Sequence, residues 1–491
     1  MTPAVHIDRA SSVSLQDQLF EQLRQLILTG GLKPNSRVIA TRFLADQAGV
    51  SRTTVLLAYE RLISEGYLQT QPAVGTFVSD SPPAPAKTAA RAKTASARGP
   101  RPSPHAAAAA ATTGVRRIVD NGASVCPIDF SAKRFDHTHL LSGKAWLQGF
   151  RAVLDRHTNE LGKAQPPAGA PMLRQAVADH LAATRGIRAD QDNVIIVAGR
   201  RQACTLIAHV LLRRGDRVIT ETPGDPDIDA IFKIRGAELR HIPVDDLGLR
   251  ADRLPEGPAR LAYVTPTRQN PLGGCMPRER REQLLAWARD SDAYIVEDDS
   301  DAEIRYHTTT PRPLCVEDDR CRVFYTGSFA KALGVGLGLG YLVAPSDMVE
   351  GILAIKSAGE EGGAWLEQMI VADLLASGAY DRHLRRVRKI YLDRRDVLIA
   401  SLRARFGEPR LVGAEVGSQL TWVLPAESPS ATQVCEAARR LGVNVEPVFG
   451  ETSFSDGVSA FQDRALILGY AALSAENIDR GVERLGDSLK F

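Results

Sequence analysis

The start of the chain carries apolar residues at helical spacing. A helix is predicted to begin after Ser14, in the capping-box-like run SLQD, and to end at the glycine pair 30–31. Its apolar face is formed by Leu15, Leu19, Leu23, Leu26 and Ile27. A short second helix is predicted after Thr41, and Ser51 is the predicted cap of a third helix that ends at Gly66. The pattern therefore predicts a small three-helix domain.

The second and third helices are joined by a short turn that contains Gly49, as in a helix-turn-helix. The second helix of such a pair enters the major groove of DNA by its N-terminal residues. Here those residues are short hydrogen-bond donors and one arginine, namely Ser51, Arg52, Thr53 and Thr54. The alternating stretches YLQT and TFVS then predict a β-wing with Gly75 near its tip. Periodicity alone is equally consistent with a small helical domain that binds protein.

From about residue 120 onward, strand-like runs alternate with helical runs. Strands such as VIIVAG, ARLAYVT, AYIVEDD and RVFYTG are interspersed with helices such as RQACTLIAHVLLRRG and PRERREQLLAWARD. This alternation predicts an α/β fold with a largely parallel sheet, whose ligands bind beyond the carboxyl ends of the strands. The residues with useful chemistry at such ends are Gly199, Asn270, Asp298 and Lys331.

Charge is unevenly distributed along the chain, whose formal net charge is only +3. The segment 80–117 carries seven Lys or Arg against one Asp, in a mixture rich in Pro, Ala and Ser. This composition predicts a flexible basic linker between a winged-helix domain over 1–79 and an α/β domain over 118–491. The cations of the linker suit either nonspecific contact with DNA phosphates or a merely solvated tether.

Other features of the sequence bear on the cellular compartment of the protein and on whether it binds a metal ion. There is no run of about 18 uncharged apolar residues and no signal-peptide pattern, so no membrane partner is predicted. The six cysteines are scattered, as expected of reduced thiols in a cytoplasmic protein. No metal site is predicted in the acidic run of Asp299, Asp301 and Glu303. Ile304 stands there where a calcium loop needs glycine.

Lys331 is the most informative of the strand-end residues. It lies in TGSFAKALGVGLGLGYLV, where alternating glycines let backbone approach closely. A lysine on a loop, a carboxylate at a strand end and a glycine before a helix together suit pyridoxal phosphate. The amine holds the aldehyde, the acid keeps the pyridine nitrogen protonated, and helix-terminal amides hold the phosphate. A solvated lysine and a helix-capping acid fit the same spacing.

Longer stretches resemble known families. Residues 15–78 resemble the GntR-type winged helix, in GGLKPNSRV, TRFLADQAGVSRTTV, AYERLISEGYL and VGTFV. Residues from about 160 to 470 resemble a fold-type I aminotransferase domain, in VIIVAGRRQA, YVTPTRQNPLGG, YIVEDDSDAEIRY and YTGSFAK. In this order the whole chain resembles the MocR/GabR group of regulators. The resemblance implies double-stranded DNA as a partner, contacted by Arg42, Arg52, Thr54 and Gly75.

The resemblance also implies roles in the large domain. Lys331 would be the catalytic lysine that forms a Schiff base with pyridoxal phosphate, Asp298 would partner the pyridine nitrogen, and Asn270 would approach the ring hydroxyl. The residues implied to lie near the phosphate are Gly199, Arg200 and Ser328. The family architecture further implies a homodimer and a small C-terminal α+β subdomain within 360–491.

In the expected cofactor and substrate pocket, five positions depart from the resembled aminotransferase family. Gly338 replaces an arginine that grips the phosphate, Asp225 replaces an aromatic residue that stacks on the ring, and Ser300 replaces a tyrosine. Ala164 stands in place of a partner-subunit tyrosine, and Ile467 in place of the arginine that holds a substrate carboxylate. An arginine–phosphate fork is a strong contact, so these changes predict weaker cofactor binding. The cations that would compensate are Arg200, Arg201 and Arg268.

Three functions are compatible with these features. The first is a transcription regulator whose aminotransferase-like domain mediates dimerisation and senses a small-molecule effector, through pyridoxal phosphate on Lys331 or directly. The second is a pyridoxal phosphate-dependent aminotransferase with an attached DNA-binding domain. The losses at Gly338 and Ile467 argue against this enzyme, because transamination needs a firmly held cofactor and substrate. The third is a regulator whose large domain is a cofactor-free scaffold.

Overall fold

A computed structural model describes the chain as two compact units, Met1–Arg101 and Pro102–Phe491. The described residues are 5–9, 13–71, 74–82, 126–131, 141–301, 303–306, 311–320, 322–360, 362–448, 461 and 463–489. Most of the predicted linker over 80–117 lies outside the described residues. Within the described part, no helix is both long enough and apolar enough to cross a membrane.

The first unit contains three helices and a hairpin: α1 (Leu15–Leu28), α2 (Thr41–Ala48), α3 (Arg52–Ser64), β1 (Leu68–Gln71) and β2 (Gly75–Val78). In α1, Ser14 Oγ accepts a hydrogen bond from the amide of Asp17 at 3.1 Å. In α3, Ser51 Oγ accepts one from the amide of Thr54, also at 3.1 Å. Gly49 ends α2 with φ +66°. The two strands pair antiparallel, as predicted for the wing.

The core of the first unit lies between α1 and α3. Of the five residues predicted to form the apolar face of α1, Leu19, Leu23 and Ile27 are buried and the other two are half-buried. Phe20, which the pattern missed, is buried too. The guanidinium of Arg61 from α3 lies 3.9 Å from the centroid of this ring, so a cation–π contact also joins the two helices.

The second unit is built on a large sheet. The described strands of this unit up to its small subdomain are β3 (Ile128–Asp129), β4 (Val194–Val197), β5 (Arg217–Thr222), β6 (Glu238–Asp245), β7 (Gly248–Leu249), β8 (Leu261–Val264), β9 (Tyr294–Asp298), β10 (Val323–Ser328) and β11 (Gly340–Val343). The sheet has the order β4-β11-β10-β9-β8-β5-β6-β7. Antiparallel pairing is confined to the contacts of β11 and β7, so the predicted largely parallel sheet is confirmed.

Helices cover both faces of this sheet. They are α4 (Gly143–His157), α5 (Pro171–Arg185), α6 (Arg200–Leu211), α7 (Pro226–Ile234), α8 (Arg278–Asp290), α9 (Leu314–Glu317), α10 (Ala330–Leu333), α11 (Ser346–Gly359), α12 (Trp365–Ala376) and α13 (Ala379–Phe406). Alternate residues of β4 enter different apolar clusters: Val194 and Ile196 join one, Ile195 and Val197 the other. A strand buried on both faces explains the continuous apolar run VIIV.

A small α+β subdomain follows. Its elements are β12 (Arg410–Val412), β13 (Gln419–Val423), α14 (Ala431–Arg440), β14 (Val443–Asn444), β15 (Glu446–Pro447), β16 (Ala465–Gly469) and α15 (Ala475–Ser488). Four strands form an antiparallel sheet of order β12-β13-β16-β15. β14 instead pairs with β3, which ties the early strand of this unit to the subdomain.

Gly327 in β10 has no room for a side chain. It pairs with Tyr341 of β11, and a Cβ at this glycine would overlap the ring of that tyrosine. We expect Gly327→Ala to lower the free energy of unfolding by about 1–3 kcal/mol through overpacking. Gly336→Ala is the matched control, because nothing lies within 4 Å of a Cβ at Gly336. Urea unfolding measures both, and equal stabilities would contradict the packing argument.

Candidate functional site

Strand ends and one helix start meet at a crevice in the second unit. The crevice is lined by Arg200, Thr265, Arg268, Asn270, Asp298, Asp299, Ser300, Asp301 and Lys331. Asp298 is the last residue of β9, and Lys331 lies in α10, directly after the neighbouring β10. Parallel strands end at the same edge of a sheet, which is why Asn270, Asp298 and Lys331 come together from distant parts of the sequence.

The amine of Lys331 is held inside the crevice. Its Nζ forms an ion pair with Asp301, whose other carboxylate oxygen accepts a hydrogen bond from Arg268 Nη1 at 3.0 Å. Burial lowers the pKa of Lys331, as do the charges of Arg268 and Arg200, and together they outweigh the opposing charge of Asp301. Burial acts to raise the pKa of Asp301, but Lys331 and Arg268 overcome it and bring this pKa to about 2. The amine is therefore neutral more often than an ordinary lysine at the same pH.

Asp298 is surrounded by hydrogen-bond donors. Its Oδ2 accepts from the hydroxyl of Tyr263 at 2.5 Å, and its Oδ1 accepts from the amide of Ser300 at 3.0 Å and from the Ser300 hydroxyl. Thr326 Oγ1 is a more distant donor, at 3.4 Å. These contacts fix the position of the carboxylate. Ser300, which the resemblance places where the family has a tyrosine, thus donates two hydrogen bonds to Asp298.

Arg200 reaches between two carboxylates. Its Nη2 forms an ion pair with Asp225, and its Nη1 lies 3.9 Å from Asp298 Oδ2. Asp225 also caps α7, because its Oδ1 accepts a hydrogen bond from the amide of Asp227 at 3.0 Å. Asp225, which the resemblance places where the family has a stacking aromatic residue, therefore holds an arginine in the crevice.

The other two candidate cations, Arg201 and Arg268, contact residues other than Asp225 and Asp298. Arg201 pairs with Asp227, and its side chain is 61% exposed. Arg268 is buried and donates to the carbonyls of Val416 and Gln419 at 2.8 and 3.0 Å, besides its contact with Asp301. Of the three arginines expected to compensate, Arg200 is the best placed to meet an anionic ligand.

The remaining phosphate-side residues lie near one another. Gly199 precedes α6 with φ +111°, and Ser328 Oγ accepts a hydrogen bond from the amide of Ala330 at 3.2 Å. Ser328 pairs with Gly340, and a Cβ on Gly340 would lie 3.3 Å from the Cα of Gly199. The helix start and the lysine-bearing turn are thus in close contact.

Two departures from the family pattern occupy different settings. Gly338 has φ +57°, with nothing within 4 Å of a Cβ at this position, so the structure supplies no substitute side chain there. Ile467 is buried in β16, where it pairs with Thr421 of β13. Neither position carries a cation, for phosphate in the first case or for a substrate carboxylate in the second.

Each acid of the run Asp299, Asp301 and Glu303, which follows β9, lies next to a basic side chain. Asp299 pairs with Arg185, while Glu303 Oε1 lies 3.0 Å from Nε2 of His180. Asp301 forms an ion pair with Lys331. Across the described residues, no group of three or more His, Cys, Asp or Glu side chains is placed to hold a metal ion.

The residues predicted to contact DNA lie in the first unit: Arg42 in α2, Ser51, Arg52, Thr53 and Thr54 at the start of α3, and Gly75 in the wing. The hydroxyls of Ser51 and Thr54 lie 2.8 Å apart, so both also serve the helix cap. Arg52 and Thr53 are exposed. Gly75 has φ +141°, and a Cβ there would lie 2.9 Å from Nε of Arg37, so this arginine packs against the wing.

The chain matches known proteins over both units. Residues 15–78 match the model of bacterial regulatory proteins of the gntR family, and residues 133–485 match that of aminotransferase class I and II. Over 98% of its length, the chain is 31% identical to the probable rhizopine catabolism regulatory protein MocR of Rhizobium meliloti, with 94% of that protein covered. The chain belongs to the MocR-type regulators. This MocR-type chain is also similar to TauR of Rhodobacter capsulatus, with 31% identity over 97% of both chains.

Solved structures agree with this assignment. The multiple substrate aminotransferase of Thermococcus profundus has a TM-score of 0.66 and 26% identity to the MocR-type chain, covering 74% of it and 91% of that enzyme. An archaeal alanine:glyoxylate aminotransferase has a TM-score of 0.67 and 25% identity, covering 78% and 96%. The second unit is therefore a fold-type I aminotransferase-like domain, and the first is a GntR-type helix-turn-helix domain.

This fold implies pyridoxal phosphate, and the crevice of the MocR-type chain fits it in part. Lys331 would hold the aldehyde, Asp298 the ring nitrogen, and Arg200 the phosphate. When bound, the cofactor would supply an aldehyde that reacts with amines. Arg200 lies between Asp225 and Asp298, so it would have to leave these carboxylates to hold a phosphate. Sequence reasoning missed Tyr263 as a partner of Asp298, since a tyrosine inside an apolar strand has the pattern of a core residue.

Neutralising Asp225 is expected to strengthen pyridoxal phosphate binding. Asp225→Asn removes a carboxylate beside the predicted ring position and releases Arg200, so we expect the Kd to fall about tenfold. Asparagine keeps the cap of α7, because it is an equally good N-cap residue. Asp227→Asn is the matched control, since it releases the exposed Arg201 instead. An absorbance titration measures both, and an unchanged Kd in Asp225→Asn would refute the competition.

Proposed function

We propose that this regulator binds pyridoxal phosphate through Lys331 and senses a small-molecule effector in the same crevice. The observation that carries the proposal is the Lys331 amine, whose pKa burial lowers, in one crevice with Asp298 and Asn270. An amine with a lowered pKa reacts readily with an aldehyde near neutral pH. One relative, from Corynebacterium glutamicum, is named for regulating pyridoxine biosynthesis and is 29% identical over 97% of this chain. That name favours a pyridoxine-related ligand here.

The regulatory role is better supported than an enzymatic one. A transaminase must hold its substrate carboxylate while the chemistry proceeds. Ile467 offers an apolar, buried side chain at the position where the family has an arginine. Gly338 leaves the phosphate without its usual arginine. Occupancy of the crevice would therefore serve as a signal rather than as a step of turnover.

Dimerisation is part of the proposal. Large apolar side chains are exposed on and after α4: Leu147 at 52%, Leu154 at 36%, Leu161 at 52% and Met172 at 44%. Large apolar side chains left exposed favour burial against a partner protein. We infer a cytoplasmic homodimer, which would present two winged helices to repeated half-sites on DNA.

The test is a change in DNA affinity on ligand binding. A duplex is first selected with the full chain from a random-sequence pool. Its Kd is then measured with and without pyridoxal phosphate, for the parent protein and for Lys331→Ala. We expect a shift of about 5–150-fold in the parent, the usual range of allosteric coupling, and none in the variant. If the Kd of the parent protein for DNA does not change with pyridoxal phosphate, the sensing role is refuted, while DNA binding remains established.

A further inference from the structure

The recognition helix α3 exposes two large apolar side chains beside its predicted DNA contacts. Leu56 is 47% exposed and Leu57 is 42% exposed. The buried face of α3 is formed by Val55, Ala58, Tyr59 and Leu62, so these two leucines belong to the opposite face. They contribute little to the core of the first unit, and their exposed area is available to a partner.

The position of the two leucines indicates that partner. Residues four apart lie on the same face of a helix, so Leu56 follows Arg52 by one turn and Leu57 follows Thr53 by one turn. Arg52 and Thr53 are exposed at the helix N-terminus, the end that enters the major groove in a helix-turn-helix. A helix lying in the groove brings its second turn against the bases as well as its first.

We propose that Leu56 and Leu57 read thymine by apolar contact with its C5-methyl group in the major groove. The methyl is the one apolar feature of the base edges there, and aliphatic side chains recognise it. This inference rests on the DNA binding of the winged helix and adds a specificity that hydrogen-bond donors cannot provide. Polar Arg52 and Thr53 would read neighbouring edges, so the helix would prefer sites in which thymines flank hydrogen-bonded bases.

The experiment replaces thymine by deoxyuridine, which lacks only the methyl group. In the duplex selected with the full chain, each thymine is replaced in turn and the Kd is measured. With the parent protein we expect about a fourfold loss at one or two positions in each half-site, the value of one buried methyl group. Leu56→Ala and Leu57→Ala should each bind the thymine and deoxyuridine duplexes equally at one of those positions.

Ile63 supplies the matched control. It is 36% exposed on the same helix but lies near the C-terminal end, away from the proposed contacts. Ile63→Ala should retain the full response to deoxyuridine. Unfolding curves of the three variants check that they fold, which is expected because all three side chains are exposed.

Three results would overturn the inference, and the last is distinguishable from the first two. If the parent protein binds its selected duplex and no replacement changes the Kd, or if both leucine variants keep the parent response, the leucines do not read methyl groups. Their exposed face would then serve contact with protein. If no duplex is enriched from the pool, DNA recognition itself fails, and this inference fails with it.

Discussion

Lys331→Ala is expected to abolish the change in visible absorption that pyridoxal phosphate undergoes when mixed with the protein. The change requires an amine in the crevice, and the variant has none at that position. The affinity for the cofactor should also fall by about tenfold or more, since the amine that would bond to the aldehyde is lost. Absorbance titration of the two proteins under the same conditions measures both effects.

Lys331→Arg separates the reactivity of the amine from its charge. Arginine keeps a cation opposite Asp301, so the ion-pair network of Asp301 and Arg268 retains its balance. A guanidinium does not react with the aldehyde, and we expect no absorption change in this variant either. If either variant retained the absorption change, the reactive amine would be another residue.

The pH dependence of this reaction has a defined direction. Only the neutral amine attacks an aldehyde, and burial lowers the pKa of Lys331 below its usual value. The reaction should therefore begin at lower pH than with an exposed lysine and should increase as the pH rises through the lowered pKa. Free lysine side-chain amine with the cofactor gives the reference curve.

Arg52→Ala is expected to cause the second large effect, a loss of affinity for the selected duplex. Arg52 is exposed at the first position of α3, where a helix-turn-helix meets DNA. Removing an arginine that contacts a base edge costs about 1–3 kcal/mol, and relaxes the preference at that base. If the contact is to phosphate instead, the affinity falls uniformly across sequences and the salt slope decreases by about one.

Arg61→Ala is the control for charge on the same helix. Its guanidinium is held against α1 by the Phe20 ring and by Asp17 at 2.8 Å. We therefore expect an effect on thermal unfolding and almost none on the Kd for DNA. Equal losses of DNA affinity in the Arg52 and Arg61 variants would indicate a nonspecific charge effect and contradict the assigned docking of α3.

The crevice suggests how the MocR-type architecture has been altered in this chain. An acid and an arginine, Asp225 and Arg200, stand beside Asp298 at the place expected for a stacked ring. Each carboxylate of this ion-paired group has a cationic partner, so an incoming phosphate dianion must compete with an internal acid for Arg200. Such competition would raise the Kd of an anionic ligand, so the site would fill only at higher ligand concentrations.

The architecture of this protein can be predicted from local patterns in its sequence. Helical periodicity with serine caps predicted α1 and α3, alternating residues predicted the wing, and apolar runs predicted the parallel sheet. These features are local, because each depends on the spacing of side chains along one segment. The gathering of Asn270, Asp298 and Lys331 could also be predicted, since parallel strands end at one edge of a sheet.

The pairing of charged side chains, in contrast, depends on the folded arrangement of distant elements. The sequence does not distinguish among the three candidate arginines. In the folded chain, Arg200 pairs with Asp225, Arg201 with Asp227 and Arg268 with Asp301. The pairing of Lys331 with Asp301 could not be predicted either, because Asp301 lies in an acidic run whose pattern is that of a solvated loop. Ion pairs depend on distances of a few Å between side chains from separate elements, and these distances exist only after the chain has folded.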